Sequence, residues 1–108
     1  MNDYLANLQK IGLLKDRSFI DGVWVASSNN DTFDVTNPFD NEVIGAVPNM
    51  TSADLEGAIL AAERAFKAWS SHTGKHRGEL LSKWFNLINE NAESLATLLT
   101  LEQGKPIS

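Results

Sequence analysis

The stretch Glu42-Val43-Ile44-Gly45-Ala46-Val47-Pro48-Asn49-Met50-Thr51-Ser52-Ala53-Asp54-Leu55 decides the fold class, because two kinds of local structure meet in it. Up to Val47 the residues read as a strand. Pro48 stops it, since proline has no N–H to give to a ladder. From Thr51 the chemistry is that of a helix start. Thr51 is a good N-cap and Asp54 stands three residues on, while Met50 and Leu55 occupy the N′ and N4 positions of a hydrophobic staple. Strands are therefore expected over 18–48 and helices over 51–103, an α+β arrangement.

Working back from Glu42, Phe39-Asp40-Asn41 makes a turn and Asn37-Pro38 ends a preceding strand, Thr32-Phe33-Asp34-Val35-Thr36, which alternates as a strand should. A polar loop, Ser27-Ser28-Asn29-Asn30-Asp31, separates it from Ser18-Phe19-Ile20-Asp21-Gly22-Val23-Trp24-Val25. Asp-Gly between β-branched and aromatic runs is a strong hairpin signal, because a type I′ turn needs φ > 0 at both central residues. The first half is thus a small antiparallel β-hairpin unit. Residues 1–17 carry Leu5, Leu8, Ile11 and Leu14 near helical spacing, with Leu13 beside them and Gly12 weakening the pattern from inside. They read as a short amphipathic helix or an ordered arm.

Working forward from Leu55, Ala58, Ile59, Ala62, Phe66 and Trp69 continue one apolar stripe. Ser70-Ser71-His72-Thr73-Gly74 breaks that helix, a second starts near Lys75, and Asn89-Glu90-Asn91 marks a kink or break before a third. About three helices are expected. The adjacent pairs Leu80-Leu81, Trp84-Phe85, Leu87-Ile88 and Leu98-Leu99 make the later stripes wide, which suits burial between layers, with Trp69, Trp84 and Phe85 read as core. Gly104 followed by Pro106 ends the last helix. Lys105-Pro106-Ile107-Ser108 leads into a further element, so the sequence is expected to be the opening part of a longer chain.

The 108 residues amount to one small domain. A net charge of −5 argues against nucleic acid or an anionic membrane as partner, because both attract clustered Lys and Arg. No apolar run approaches the ~18 residues of a membrane span, and the start lacks the pattern of a secretory signal. Zero cysteines excludes a disulfide framework and fits a cytoplasmic setting.

The residues alone offer no active site. His72 and His76 are four apart, but Thr73-Gly74 lies between them and no acid sits at a matching offset, so they read as a solvated loop–helix junction. Glu90 and Glu93 read as a solvated helix face. The pairs Ser27-Ser28 and Ser70-Ser71 have no histidine partner at a recognisable spacing. The seven glycines do not form Gly-x-Gly-x-x-Gly.

Five pieces in order nevertheless resemble the amino-terminal region of the aldehyde dehydrogenase superfamily: Phe19-Ile20-Asp21-Gly22-Val23-Trp24, Asp34-Val35-Thr36-Asn37-Pro38, Glu42-Val43-Ile44-Gly45-Ala46-Val47-Pro48, Ala61 through Trp69, and Leu101-Glu102-Gln103-Gly104-Lys105-Pro106. They cover residues 18–106. Lys83-Trp84-Phe85-Asn86-Leu87-Ile88 and the last helix look most like succinate-semialdehyde dehydrogenases of the bacterial type. His76-Arg77 departs from the acidic residue many members have there, and Gly78 costs the helix roughly 1 kcal/mol relative to Ala.

The resemblance implies a protein several times longer, with a Rossmann-like dinucleotide domain, a catalytic domain and an oligomerising β arm. It implies that a cysteine thiolate attacks the aldehyde, hydride passes to NAD or NADP, and a glutamate-activated water hydrolyses the thioester. None of those catalytic or cofactor-binding residues can be placed on this sequence, so it is expected to be inactive and cofactor-free by itself. One family feature carries over: a monovalent cation held by oxygens, for which Val35, Thr36 and Glu102 are the matching positions. Residues 18–108 are then the amino-terminal segment of the enzyme, whose partner is the rest of its own chain. By itself the segment is expected to self-associate through uncovered apolar faces, as a helix-mediated homodimer or by swapping an element. The alternative is a stand-alone binding or assembly module derived from that segment.

Overall fold

The computed structural model describes residues 2–106. In chain order these form α1 (Asn2–Lys10), β1 (Ser18–Ile20), β2 (Val23–Val25), β3 (Thr32–Thr36), β4 (Val43–Pro48), α2 (Ser52–Ser71), α3 (Gly74–Glu90) and α4 (Ala92–Gln103). Met1, Ile107 and Ser108, which belong to the expected first and last segments, lie outside the described residues.

The strands make two separate hairpins. In β1–β2, Phe19 faces Trp24 and Ile20 faces Val23 across the two-residue Asp21-Gly22 turn, with φ +52° and +79°. Both positive angles are those a type I′ turn requires. In β3–β4, Phe33 pairs with Val47 and Asp34 with Ala46, and the register shifts between Val35 and Thr36. Ile44 is the extra residue of that bulge. A bulge bends its strand and re-aims a side chain, and here Ile44 is buried while Val43 stays more than half exposed.

The helix termini follow their local chemistry. Thr51 Oγ1 accepts the Asp54 N–H at 3.1 Å, and the Asp54 carboxylate accepts the Thr51 N–H at 3.0 Å, completing a capping box. Thr73 Oγ1 accepts the His76 N–H at 3.1 Å and starts α3. Asn91 is the break expected between the second and third long helices. At the end of α1 the reading of Gly12 needs correction. Gly12 terminates the helix rather than weakening it from inside: at φ +79°, its N–H donates to the Gln9 carbonyl and the Leu13 N–H to the Leu8 carbonyl. That is a Schellman motif, in which the residue after the glycine packs back on the helix. Ile11 falls off the stripe and is exposed, and Leu13 and Leu14 reach the core from the following loop.

Leu8, Ile44 and Leu101 form the core, joined by Leu5, Leu13, Leu14, Val35 and Leu98. It draws on α1, β3, β4 and α4. Helix α2 lies apart against the first hairpin, with Ala61 its buried residue. The Ser28 N–H donates to the Asp54 carboxylate at 3.1 Å and ties the loop before β3 to this helix.

No residue of α3 is buried. The expectation that Trp84 and Phe85 are core is therefore corrected for this chain: they are 62% and 63% exposed. Their stripe has no second layer to pack on. The surface measures the same deficit. The chain exposes 8209 Å², against about 5,900 Å² for a compact monomer of its mass. Its radius of gyration is 16.7 Å, where about 13 Å is usual for this length.

Candidate functional site

The Asn37 turn holds the end of α4. Asn37 is buried, and its Oδ1 accepts the Phe39 N–H at 3.0 Å. Its own N–H donates to the Glu42 carbonyl at 2.8 Å, and its carbonyl accepts the Asn41 N–H at 2.7 Å. Asp40 Oδ1 accepts the Glu42 N–H at 3.0 Å. The turn is thus rigid without help from outside it. Gly104 packs against it, with φ +72° and its N–H bonded to the Thr100 carbonyl at 2.7 Å. That single bond is the αL cap of a helix.

This joint places the cation candidates. Val35 and Glu102 line one hollow of about 160 Å³, together with Leu14, Lys15, Gly45 and Leu98. Thr36 stands next to Val35 at the bulge, on the exposed side. The structure therefore brings two of the three positions to one hollow and leaves the third at its margin. Backbone oxygens with a carboxylate are the donors a hard cation takes; Glu102 is the carboxylate of this hollow, and Lys15 also lines it. Among the described residues, no group of three or more His, Cys, Asp or Glu side chains could hold a metal ion.

Several features were not legible in the sequence. Lys15 Nζ stacks over the Trp24 ring at 4.6 Å, joining the segment after α1 to the first hairpin. A second hollow of about 380 Å³ opens beside Asn37, between Tyr4, Phe39, Thr100 and Lys105. The His72 and His76 rings come within 4.5 Å, centroid to centroid. All three are tertiary or junction contacts that no spacing rule announces. The titration of the Asp54 carboxyl is displaced. The Thr51 N–H, and then the Ser28 N–H, hold it below the usual carboxylate range. It is a structural group. Among the described residues Ser27, Ser70 and Ser71 bond locally. Ser27 is buried with its Oγ 2.8 Å from Asn29 Oδ1, and the Ser70 and Ser71 hydroxyls donate to the Lys67 and Ala68 carbonyls. Among the described residues, no helix is long and apolar enough to cross a membrane.

The chain as a whole resembles known proteins in sequence and in fold. The chain is 48% identical over 104 residues to a 3-sulfolactaldehyde dehydrogenase of Pseudomonas putida, with 96% of this chain and 21% of that protein covered. It is 42% identical to the NADP(+) succinate-semialdehyde dehydrogenase of Escherichia coli, over 94% of this chain and 21% of that protein. Among solved structures, betaine aldehyde dehydrogenase of Staphylococcus aureus in complex with NAD+ superposes with a TM-score of 0.86 at 41% identity, covering 96% of this chain and 21% of that one. The chain thus spans about a fifth of the length of these relatives. Residues 24–108 match the aldehyde dehydrogenase family as a whole. With sequence and fold in agreement over nearly the whole chain and the family pattern over residues 24–108, the chain belongs to the aldehyde dehydrogenase family.

Proposed function

We propose that this chain is the amino-terminal segment of an NAD(P)+-dependent aldehyde dehydrogenase that oxidises a semialdehyde, succinate semialdehyde first among them, to the carboxylate. The observation that carries this reading is the unclosed surface. A chain that exposes 8209 Å², with Trp84 and Phe85 outward, is shaped to be covered. Semialdehyde dehydrogenases among its relatives support the substrate class.

In that enzyme the segment's task is positional. The family reaction needs a thiolate to attack the aldehyde, an acceptor for hydride and a base for the hydrolytic water. This sequence has no cysteine, so the nucleophile comes from beyond these 108 residues and the segment alone turns over no substrate. When bound, NAD(P)+ accepts the hydride. The segment contributes a scaffold: α2 and α3 pack their apolar faces on the remainder of the enzyme. The Asn37 turn and the α4 end together hold Val35, Thr36 and Glu102 for a monovalent cation.

The test is turnover. The protein encoded by the complete reading frame should form NAD(P)H with succinate semialdehyde, and the 108-residue chain should form none. No activity with any semialdehyde in the longer protein would overturn the assignment. The 108-residue chain should also self-associate and bind a dye for exposed apolar surface. A dispersed, dye-silent monomer by sedimentation would contradict the covered-face reading.

A further inference from the structure

The α2–α3 junction carries a pair of side chains that neither the fold nor the proposed reaction uses. His72 is the C-cap of α2, in extended backbone with φ −70° and ψ 152°. His76 lies in the first turn of α3, its N–H bonded to the Thr73 hydroxyl oxygen. The extended cap and the new helix turn the chain so that two exposed imidazoles meet across Thr73-Gly74, with ring centroids 4.5 Å apart and planes at 47°.

That separation has a chemical meaning. An imidazole nitrogen binds a divalent transition metal at about 2.0–2.1 Å. The ring centre then lies about 3.2 Å from the metal, and ligand angles of about 90–110° put two ring centres about 4.5–5.2 Å apart. The observed spacing falls at the short end, where the ligand angle is near square. Square-planar and tetragonal nitrogen sites are those of Cu2+ and Ni2+.

We propose that His72 and His76 form a two-imidazole chelate for a divalent transition metal, Cu2+ ahead of Ni2+ and Zn2+, with water completing the coordination. Metal binding clips the end of α2 to the start of α3 across Thr73-Gly74 and so fixes the angle between the two helices that carry the exposed apolar face. The charge environment selects the class of metal. Lys75 and Arg77 flank His76, the first turn of α3 has no acid, and a helix N-terminus is the positive end of its dipole. His72 stands at the negative end of the α2 dipole, which offsets this, so charge supplies little net attraction for a cation. Affinity comes from nitrogen donation, which hard ions such as Mg2+ and Ca2+ do not exploit.

These are the only two histidines in the sequence, and it has no cysteine, so the test is unambiguous. The 108-residue chain is titrated with Cu2+, Ni2+, Zn2+ and Mg2+ by calorimetry in a mildly alkaline, weakly coordinating buffer. Cu2+ should bind one to one and most tightly, and Mg2+ should give no heat. His72→Gln and His76→Gln should each weaken Cu2+ binding by at least about tenfold. Zn2+ should shift the imidazole C–H resonances of both rings in step in the unmutated chain, which decides the matter even where a variant misfolds. Undiminished Cu2+ binding by folded single variants, Zn2+ shifts at one ring alone, or no binding at all would overturn the proposal.

Discussion

Replacing Gly104 with alanine should break the joint on which the cation candidates rest. Gly104 sits at φ +72°, where an L-residue pays about 1–2 kcal/mol in steric conflict. A methyl group there would stand 3.1 Å from Pro38 Cγ and 3.4 Å from Phe39 N. The Phe39 N–H is held by Asn37 Oδ1 at 3.0 Å, and Pro38 Cγ can yield only through a change of ring pucker. Crowding of this kind adds about 1–3 kcal/mol. The stiffer unfolded chain of alanine returns about 0.4–1 kcal/mol. The expected net loss is about 1–4.5 kcal/mol. Gly12 supplies the internal control. It has φ +79° and nothing within 4 Å of the position its Cβ would take, so Gly12→Ala should cost only about 1 kcal/mol. Asparagine tolerates the left-handed region, so Gly12→Asn should be close to neutral while Gly104→Asn remains costly. The assay is urea unfolding at one dilute concentration, followed by far-UV circular dichroism, with midpoints compared at unchanged slope. A Gly104→Ala variant no less stable than Gly12→Ala would refute the packing argument.

Two further outcomes follow from the helices. Gly78 lies inside α3 with open space around its missing Cβ, so Gly78→Ala should stabilise the chain by up to ~1 kcal/mol in the same urea assay. Thr51→Ala removes the hydroxyl that accepts the Asp54 N–H and should cost about 1 kcal/mol. Asp54 also gives a pH dependence. Its folded pKa lies below its unfolded value because the Thr51 and Ser28 N–H groups favour the carboxylate. Its contribution is therefore fully present above the carboxylate range and is lost as pH falls through the folded pKa. Asp54→Asn keeps an acceptor without the charge, so acid titration of its stability should show a shallower decline than the unmutated chain.

Local chemistry was legible in the sequence and longer-range packing was not. The Asp21-Gly22 turn, the Thr51–Asp54 capping box and the Gly104 cap depend on residues within a few positions of one another, and each stands where its motif indicated. Gly12 is ambiguous in the sequence, because a glycine inside an apolar pattern and a glycine ending a helix look alike until the Leu13 N–H finds its acceptor. Trp84 and Phe85 have the pattern of core residues and lack a core within this chain. A stripe says that a face is apolar; the surface that covers it is a separate matter. The candidate site divides the same way. Val35 and Glu102 were placed by family resemblance, and only the fold brings both to one hollow. The approach of the His72 and His76 rings depends on the extended backbone of a helix cap, which residue spacing does not encode.

The central claim is that the apolar face of α2 and α3 is an interior face of a larger enzyme. Hydroxyl-radical footprinting of Trp84 and Phe85 tests it most directly. In the 108-residue chain under dilute conditions both rings are more than half exposed and should oxidise readily. In the longer protein encoded by the complete reading frame, oxidation of both should fall to the level of buried aromatics. Equal labelling of Trp84 and Phe85 in the two proteins would contradict the account.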